Sequence, residues 1–532
     1  MTTAPPFPGL MMTRPLLLKE IVERAESFFG RQTVVSTRNG VRRERTVAET
    51  VERSRRLASS LSRLGIGLGD RVATFGWNTQ EHLELYLAVP AMGAVLHPVN
   101  IRIHDSDIRA ILDHAGDRVV FVDGSLSDRL PRVDGVETEV LMGAGEREGA
   151  LSYEQLIADG DPAFEFPDIP EGSASAMCYT SGTTGMPKGV VYSHRSTVLH
   201  TILQTLPDLY GLRESDVVLP VVPMFHANAW GIPYAALMVG ARLVLPGESA
   251  TPRDIARTIA QERVTFSAAI TTIWHDITQL PELPDLSSVR EVVAGGAPVN
   301  EALLRRLDAI GLRAVQGYGM TEVNPLLSVG RPPARLEADS PEWMDARLAQ
   351  GRPMPFVGVQ VDDEVGGELM LGGNTVASGY YRSPEQSSDR FTDDGWMRTG
   401  DIVTLDEDGI LRLVDRTKDL VKSGGEWISS VELENAIMSH PDVLEATVVA
   451  APSTRWGERP CAFVCVRDGA GLDPDALRGF LADRVAKWWV PELIEFVPEI
   501  AKTSVGKFDK KLLRGRAEQV AVRADAASGG AR

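Results

Sequence analysis

Strand-like and helix-like segments alternate along this chain, and that alternation limits its fold more than any other feature. Residues 46–61 (TVAETVERSRRLASSL) have helical periodicity, and RVATFG at 71–76 reads as a buried strand. A helix from about Glu81, the apolar AVLHPV at 94–99, a helix from Asp105 and RVVFV at 118–122 follow. The pattern resumes with ARLVL at 241–245, a helix near 252–262, VTFSAAI at 264–270, VREVVA at 289–294 and a helix over 299–310. Such alternation implies parallel sheets covered by helices on both faces, joined by right-handed crossovers. After Asp415 the pattern becomes a shorter α+β one: a helix at 431–437, strands at 443–450 and 461–466, a helix at 476–485 and a strand at 493–497. The expected fold is therefore α/β, with a large N-terminal domain of parallel-rich sheets and a small α+β C-terminal domain. The proline-rich, charged stretch 331–350 reads as a surface connection, and the Ala/Gly-rich end 521–532 as frayed.

The stretch Tyr179 to Gly189, YTSGTTGMPKG, interrupts this pattern with a different chemistry. Its glycines allow backbone N–H groups to converge on an anion. Thr180, Ser181, Thr183 and Thr184 add hydroxyl donors, and Lys188 adds a positive charge. The loop suits a polyphosphate, but it lacks the G-x-x-x-x-G-K-[ST] spacing of a Walker loop.

This loop resembles the phosphate loop of the adenylate-forming (AMP-binding) superfamily, which includes acyl-CoA synthetases, luciferases and peptide-synthetase adenylation domains. The resemblance recurs in order through GGAP at 295–298, QGYGMTE at 316–322, WMRTGD at 396–401, DRTKDLVKSGGEWIS at 415–429 and KTSVGK at 502–507. It is closest to fatty acyl-CoA synthetases. It implies a boundary between an ATP- and acyl-binding domain, 1–416, and a mobile domain carrying a catalytic lysine, 417–532.

The residue roles follow from the same resemblance. Thr180, Ser181, Gly182, Thr183, Thr184 and Lys188 would cradle phosphates, and Glu322 with Thr180 would hold Mg²⁺. Gly296, Gln316, Gly317, Tyr318 and Thr321 would line the adenine side. Asp401 would accept from the ribose hydroxyls, and Arg416 would reach the sugar or phosphate. Lys507 would bridge carboxylate and α-phosphate during adenylation, although Ala501 stands where the family usually has proline. The small domain would pivot at Lys418, bringing Gly424 and Gly425 to a pantetheine tunnel, with Lys422 and Trp427 contacting nucleotide or clamping the domains. In PMFHANAWG, His226 would sit near the carboxylate and Trp230 would gate an acyl tunnel, with room for its indole to swing. Ala227 and Ala229 would leave space for an aliphatic chain, and Gly319 and Met320 would complete the acyl site. The box GELMLGG at 367–373 departs from coumarate ligases.

Bulk properties fit these expectations. A chain of 532 residues needs at least two domains. Its net charge of −18 argues against general nucleic-acid binding, so ATP requires a local cluster of donors and a metal. Three cysteines build neither a disulfide framework nor a zinc site, and Cys461 and Cys465 fall on one strand face. Without a membrane span or a signal-peptide core, the expected location is the cytoplasm. The expected activity is ATP-dependent ligation of a fatty or other apolar carboxylic acid to CoA, with AMP and pyrophosphate released. A short thioether or aryl acid, a carrier-protein acceptor, an oxygen-dependent reaction, a nucleotide sensor without catalysis and a homodimer all stay open at this point.

Overall fold

The computed structural model describes residues 9–180, 187–248, 250–361, 366–424, 426–453, 455–467, 469–503 and 506–529. Two large sheets dominate the first 350 residues or so. The seven-stranded sheet runs Leu151–Ser152, Thr138–Met142, Val119–Asp123, Arg71–Phe75, Val95–Pro98, Ala174–Thr180 and Lys188–Ser193. All its neighbouring strands are parallel except the last pair. The nine-stranded sheet has a parallel centre, Thr33–Arg38, Arg242–Leu245, Val217–Pro220, Phe266–Ile270, Glu291–Gly295 and Ala314–Gly319, with antiparallel strands at both edges.

Local chemistry accounts for many of these elements. Helix Val47–Arg63 opens on a capping box, in which Thr46 and Glu49 satisfy each other's backbone N–H groups. Helix Pro252–Glu262 opens on another, formed by Thr251 and Asp254, with proline at its first position. Strand Val119–Asp123 is buried along its whole length, as a central parallel strand must be. A shared apolar core contains Val72, Leu96 and Phe121 from one sheet and Val34, Phe266 and Val293 from the other.

Two smaller sheets follow. An antiparallel four-stranded sheet comprises Val357–Val361, Gly367–Gly373, Met397–Leu405 and Leu411–Arg416. A five-stranded sheet begins at Val421–Ser423 and is built on the long pair Val443–Ser453 and Gly457–Val466. Cys461, Phe463 and Cys465 share one face of that pair, packed towards Leu513 and Ala517. Among the described residues no helix is long and apolar enough to cross a membrane.

Several boundaries differ from expectation. The helix expected at 299–310 is Glu301–Ala309, capped by Asn300, and the one expected at 476–485 stops at Leu481. The end of the chain is not frayed from 521: helix Lys510–Gly529 continues past it.

The stretch 331–350 is also more than a surface connection. Arg331 pairs with Glu291 at 2.7 and 2.8 Å, and Ser340 caps helix Pro341–Leu348. Arg347 is 5% exposed and donates to both oxygens of Asp308, at 2.7 and 3.0 Å, and to the Ala314 carbonyl at 3.1 Å. Arginine reads as a solvent-facing residue in sequence, but its planar fork allows burial when every donor finds an acceptor. Arg347→Ala is expected to destabilise the large domain by about 2–3 kcal/mol, since it leaves the Ala314 carbonyl without this donor and opens a void. A lower urea midpoint, partly recovered in Arg347→Met, is the expected reading.

Candidate active site

The ends of the central strands meet the small domain in one cleft. The phosphate-type loop joins the antiparallel edge pair of the seven-stranded sheet, where Thr180 lies opposite Lys188. Ser181, Gly182, Thr183 and Thr184 lie outside the described residues, as does Gly425. Lys188 is partly buried and its ammonium stands 4.7 Å from the centre of the Tyr380 ring. Burial, and then Arg390, lowers its pKa. Glu322 is 9% exposed and accepts from the Tyr380 hydroxyl at 2.8 Å.

Strand register creates the charged centre of the cleft. Asp401 lies directly opposite Arg416 in the four-stranded sheet, so their side chains stand on one face. Arg416 Nε donates to Asp401 Oδ1 at 3.2 Å, and the Tyr318 hydroxyl donates to Oδ2 at 2.6 Å. Burial, with Asp401 beside it, raises the Tyr318 pKa well above the usual phenol range, so the hydroxyl stays a donor. Asp401 thus enters the site already oriented, and each oxygen keeps a lone pair for a further donor.

The glycine-turn residues brace one another. Gln316 is buried and accepts from the Val299 N–H at 3.0 Å, holding the turn that contains Gly296. Met320 and Tyr318 pack on the apolar cluster of Val323, Leu327 and Leu369. Met320 therefore faces that cluster, although sequence had put it with Gly319 on the acyl side. Thr321 is buried, and its carbonyl accepts from Tyr192 at 2.7 Å. A β-carbon on Gly317 would stand 2.9 Å from Val293, which fits close strand packing.

Lys507 comes from the small domain into this cleft. The turn that carries it is closed by Gly506 N–H to the Thr503 carbonyl at 2.9 Å, and Gly506 has φ +80°. A β-carbon on Gly506 would fall 2.5 Å from Ile270 Cδ1, so only glycine lets the turn dock this closely. Lys507 Cε lies 3.5 Å from where a Gly296 β-carbon would stand. Burial, then Arg416, lowers the Lys507 ammonium to about 8, with Lys418 adding to the effect and Asp401 and Glu322 opposing it. His226 is pushed down to about 3 by burial, then by Lys507 and Arg102, so it is neutral near pH 7.

Ala227, Asn228, Ala229 and Trp230 have φ values of 43°, 53°, 50° and 55°, followed by Gly231 at 74°. This is a left-handed turn built from four L-residues, at a cost of about 1–2 kcal/mol each. Its neighbours hold it in place. Gln204 donates to the Trp230 carbonyl, Tyr86 donates to the Met224 carbonyl, and Cys178 donates to Asn228 at 3.3 Å. The Trp230 ring is partly buried, and its Cη2 lies 2.8 Å from where a Gly295 β-carbon would stand, so the missing side chain of Gly295 makes room for the ring edge. Ala227 and Ala229 are fully buried in the turn rather than lining open space.

The remaining candidates lie on an exposed hairpin. Lys422 stands 5.3 Å from the Trp427 ring, and its N–H donates to Glu458 at 2.8 Å. Gly424 has φ +62° and donates to the Trp456 carbonyl at 2.8 Å. These contacts are with the small domain's own residues. The Lys418 carbonyl accepts from Arg514 at 2.8 Å, while burial and Arg416 lower its ammonium. Tyr380, Arg390 and Ile270 escaped the sequence reading. GYY at 379–381 carries no spacing that reports its approach to Glu322, 58 positions away.

Among the described residues no three His, Cys, Asp or Glu side chains gather into an all-protein metal cage. A single buried carboxylate beside a phosphate-type lysine is nevertheless the donor set Mg²⁺ takes when phosphate oxygens and water complete its shell. Glu322 fits that requirement.

The fold and this cleft define an adenylate-forming enzyme of two domains, and the chain belongs to the AMP-binding enzyme family. It matches the AMP-binding enzyme family over residues 22–381 and the AMP-binding enzyme C-terminal domain over 432–507. It is 43% identical to a long-chain-fatty-acid–CoA ligase of Thermus thermophilus, covering 96% of this chain and 97% of the relative. It is 39% identical to a 3-methylmercaptopropionyl-CoA ligase of Ruegeria pomeroyi, covering 95% and 98%. Among solved structures, ATP-bound MatB from Rhodopseudomonas palustris superposes with a TM-score of 0.84 at 26% identity, over 95% of this chain and 100% of that one.

The position of Lys507 carries a pH signature. A lysine depressed to about 8 opposes docking fully below that pH, and the opposition fades as pH rises towards 10.5. If the charged form serves the reaction, kcat/KM for ATP in acid-dependent pyrophosphate exchange should fall above about pH 8 with unit slope. Lys507→Arg, which stays charged, should lose that limb; its persistence would assign the titration to another group.

Proposed function

We propose that the chain is an ATP-dependent acyl-CoA synthetase acting on a fatty or other apolar carboxylic acid, with a division near residue 416 between its two working domains. The observation that carries this reading is Lys507. A small-domain lysine sits beside Gly296 and within the field of Asp401, Arg416 and Glu322, all on the large domain or its edge. That arrangement matches an adenylation orientation. Relatives named for long-chain, medium-chain and methylmercaptopropionyl acids support CoA as the acceptor.

A carboxylate is a poor acyl donor because oxide does not leave; attachment to AMP supplies a leaving group. In this reading Lys507 holds the incoming carboxylate against the α-phosphate, and Asp401 orients the ribose. Arg416 both fixes Asp401 and adds positive charge. Lys188 and the hydroxyls of the loop draw charge towards the outer phosphates. Neutral His226 supplies a hydrogen bond without repelling Lys507. Mg²⁺, held by Glu322 with Thr180, would offset charge gathering at phosphorus. Lys422, Gly424 and Trp427, on the hairpin that also carries Gly425 in sequence, are exposed in this orientation. The hairpin is available to enter the cleft after a rotation about Lys418, where it would line the thiol path. The expected compartment is the cytoplasm.

The test separates the half-reactions. Lys507→Ala should depress acid-dependent pyrophosphate exchange by about 100-fold or more. It should largely spare thioester formation from a supplied acyl adenylate. Equal losses in both assays would overturn the role, and absence of CoA-dependent AMP release with any acid in the wild type would overturn the function.

Acyl choice is read at Trp230. If it closes the acyl path, Trp230→Ala should re-rank acids of graded length by roughly fourfold per methylene, with the ATP KM little changed. A uniform loss on all acids with a fall of several degrees in Tm would make it a core residue instead. Including 3-methylmercaptopropionate in the series distinguishes a short thioether acid from a long chain.

A further inference from the structure

We propose that Tyr380 is a positioning residue that holds the metal-binding carboxylate Glu322 and the phosphate lysine Lys188 apart and oriented; this rests on the roles proposed above for those two residues. Its hydroxyl donates to Glu322 Oε1 at 2.8 Å, while its ring face carries the Lys188 ammonium at 4.7 Å. One side chain therefore contacts both charges through different parts of itself.

The backbone fixes Tyr380 from both sides. The Ala377 N–H donates to the Glu322 carbonyl at 2.8 Å, and the Tyr381 N–H donates to the Gly189 carbonyl at 2.8 Å. The segment 377–381 thus spans from the carboxylate's own residue to the neighbour of the lysine, with Tyr380 between. Its N–H donates to Ser387 Oγ at 2.9 Å, and its ring meets Phe391 edge-on at 5.5 Å. Tyr380 is 6% exposed, so its hydroxyl exchanges little with solvent.

The need for such a residue follows from charge. A carboxylate and an ammonium left together in a half-dry cleft would pair with each other. Glu322 would then be spent on lysine rather than metal, and Lys188 on carboxylate rather than phosphate. A phenol resolves this, because it gives the carboxylate a neutral donor and the ammonium a negative ring face. With Oε1 held by Tyr380, Oε2 is left to serve a cation. Partners that orient metal ligands typically change metal affinity by about 10- to 100-fold when removed.

The experiment compares Tyr380→Phe with Tyr380→Leu. Phenylalanine keeps the ring under Lys188 and loses only the hydroxyl. It should weaken Mn²⁺ binding by about tenfold, read by electron paramagnetic resonance in the presence of a non-hydrolysable ATP analogue. Calorimetric affinity for the metal-free analogue should stay within about twofold, since the ring remains under Lys188. Leucine should weaken both, because Lys188 then closes onto Glu322. Circular dichroism and melting curves exclude unfolding as the cause, and Glu322→Gln serves as the reference. If Glu322→Gln leaves Mn²⁺ binding unchanged, the carboxylate's metal role fails and the proposal with it. If Glu322→Gln weakens Mn²⁺ binding but Tyr380→Phe does not, Tyr380 alone is overturned. Equal effects of both Tyr380 variants on both affinities would likewise overturn it.

Discussion

The cross-strand pair of Asp401 and Arg416 is the interaction on which the cleft depends. It exists because two adjacent strands pair in one register; a slip by one residue would turn either side chain to the opposite face. Tyr318 closes the other side of Asp401. Arg416 also stands at the last position of the four-stranded sheet, where the chain passes towards the small domain. The residue that orients Asp401 thus also ends its sheet, five positions before the five-stranded sheet begins at Val421, and register ties the two together.

Charge explains why the cleft needs a ligand to be comfortable. The chain carries a net charge of −18, yet Arg390 acts on Lys188, Arg416 and Lys418 act on Lys507, and Glu322 acts on both lysines. Lys507 is depressed although two carboxylates support it, because burial and the neighbouring cations outweigh them. A bound polyphosphate would reverse that balance. An acidic chain that gathers these cations together makes the local field differ in sign from what the global charge suggests.

Much of the fold was legible from sequence where one local signal sufficed. Helix Val47–Arg63 combines periodicity with a capping box, and Val119–Asp123 is a short apolar run with no other use. Long-range choices were not legible. Arg347 looks like a surface residue until Asp308 and the Ala314 carbonyl are brought to it. The four-stranded sheet passed without notice although VGVQV at 357–361 alternates, because its strands carry glycines at 358, 367, 372, 373 and 400. In the site, the glycine and lysine motifs marked backbone turns and charges. Tyr380 did not stand out, because its meaning lies in two partners distant in the chain. The left-handed turn was hidden for a related reason: Ala, Asn, Ala and Trp carry no glycine signal, and packing imposes the conformation.

That turn limits how its own sequence can diversify. At positions 227–230 a side chain alters core packing and backbone energy together. β-branched residues are nearly barred by their backbone angles, whereas glycine would relax the turn and loosen the indole that follows. Only a few small or amide-bearing residues satisfy both demands. Substitution at Gln204 or Tyr86 does not escape the limit, because their hydrogen bonds to the Trp230 and Met224 carbonyls help hold this segment. A segment held from its backbone outward is the least free to drift.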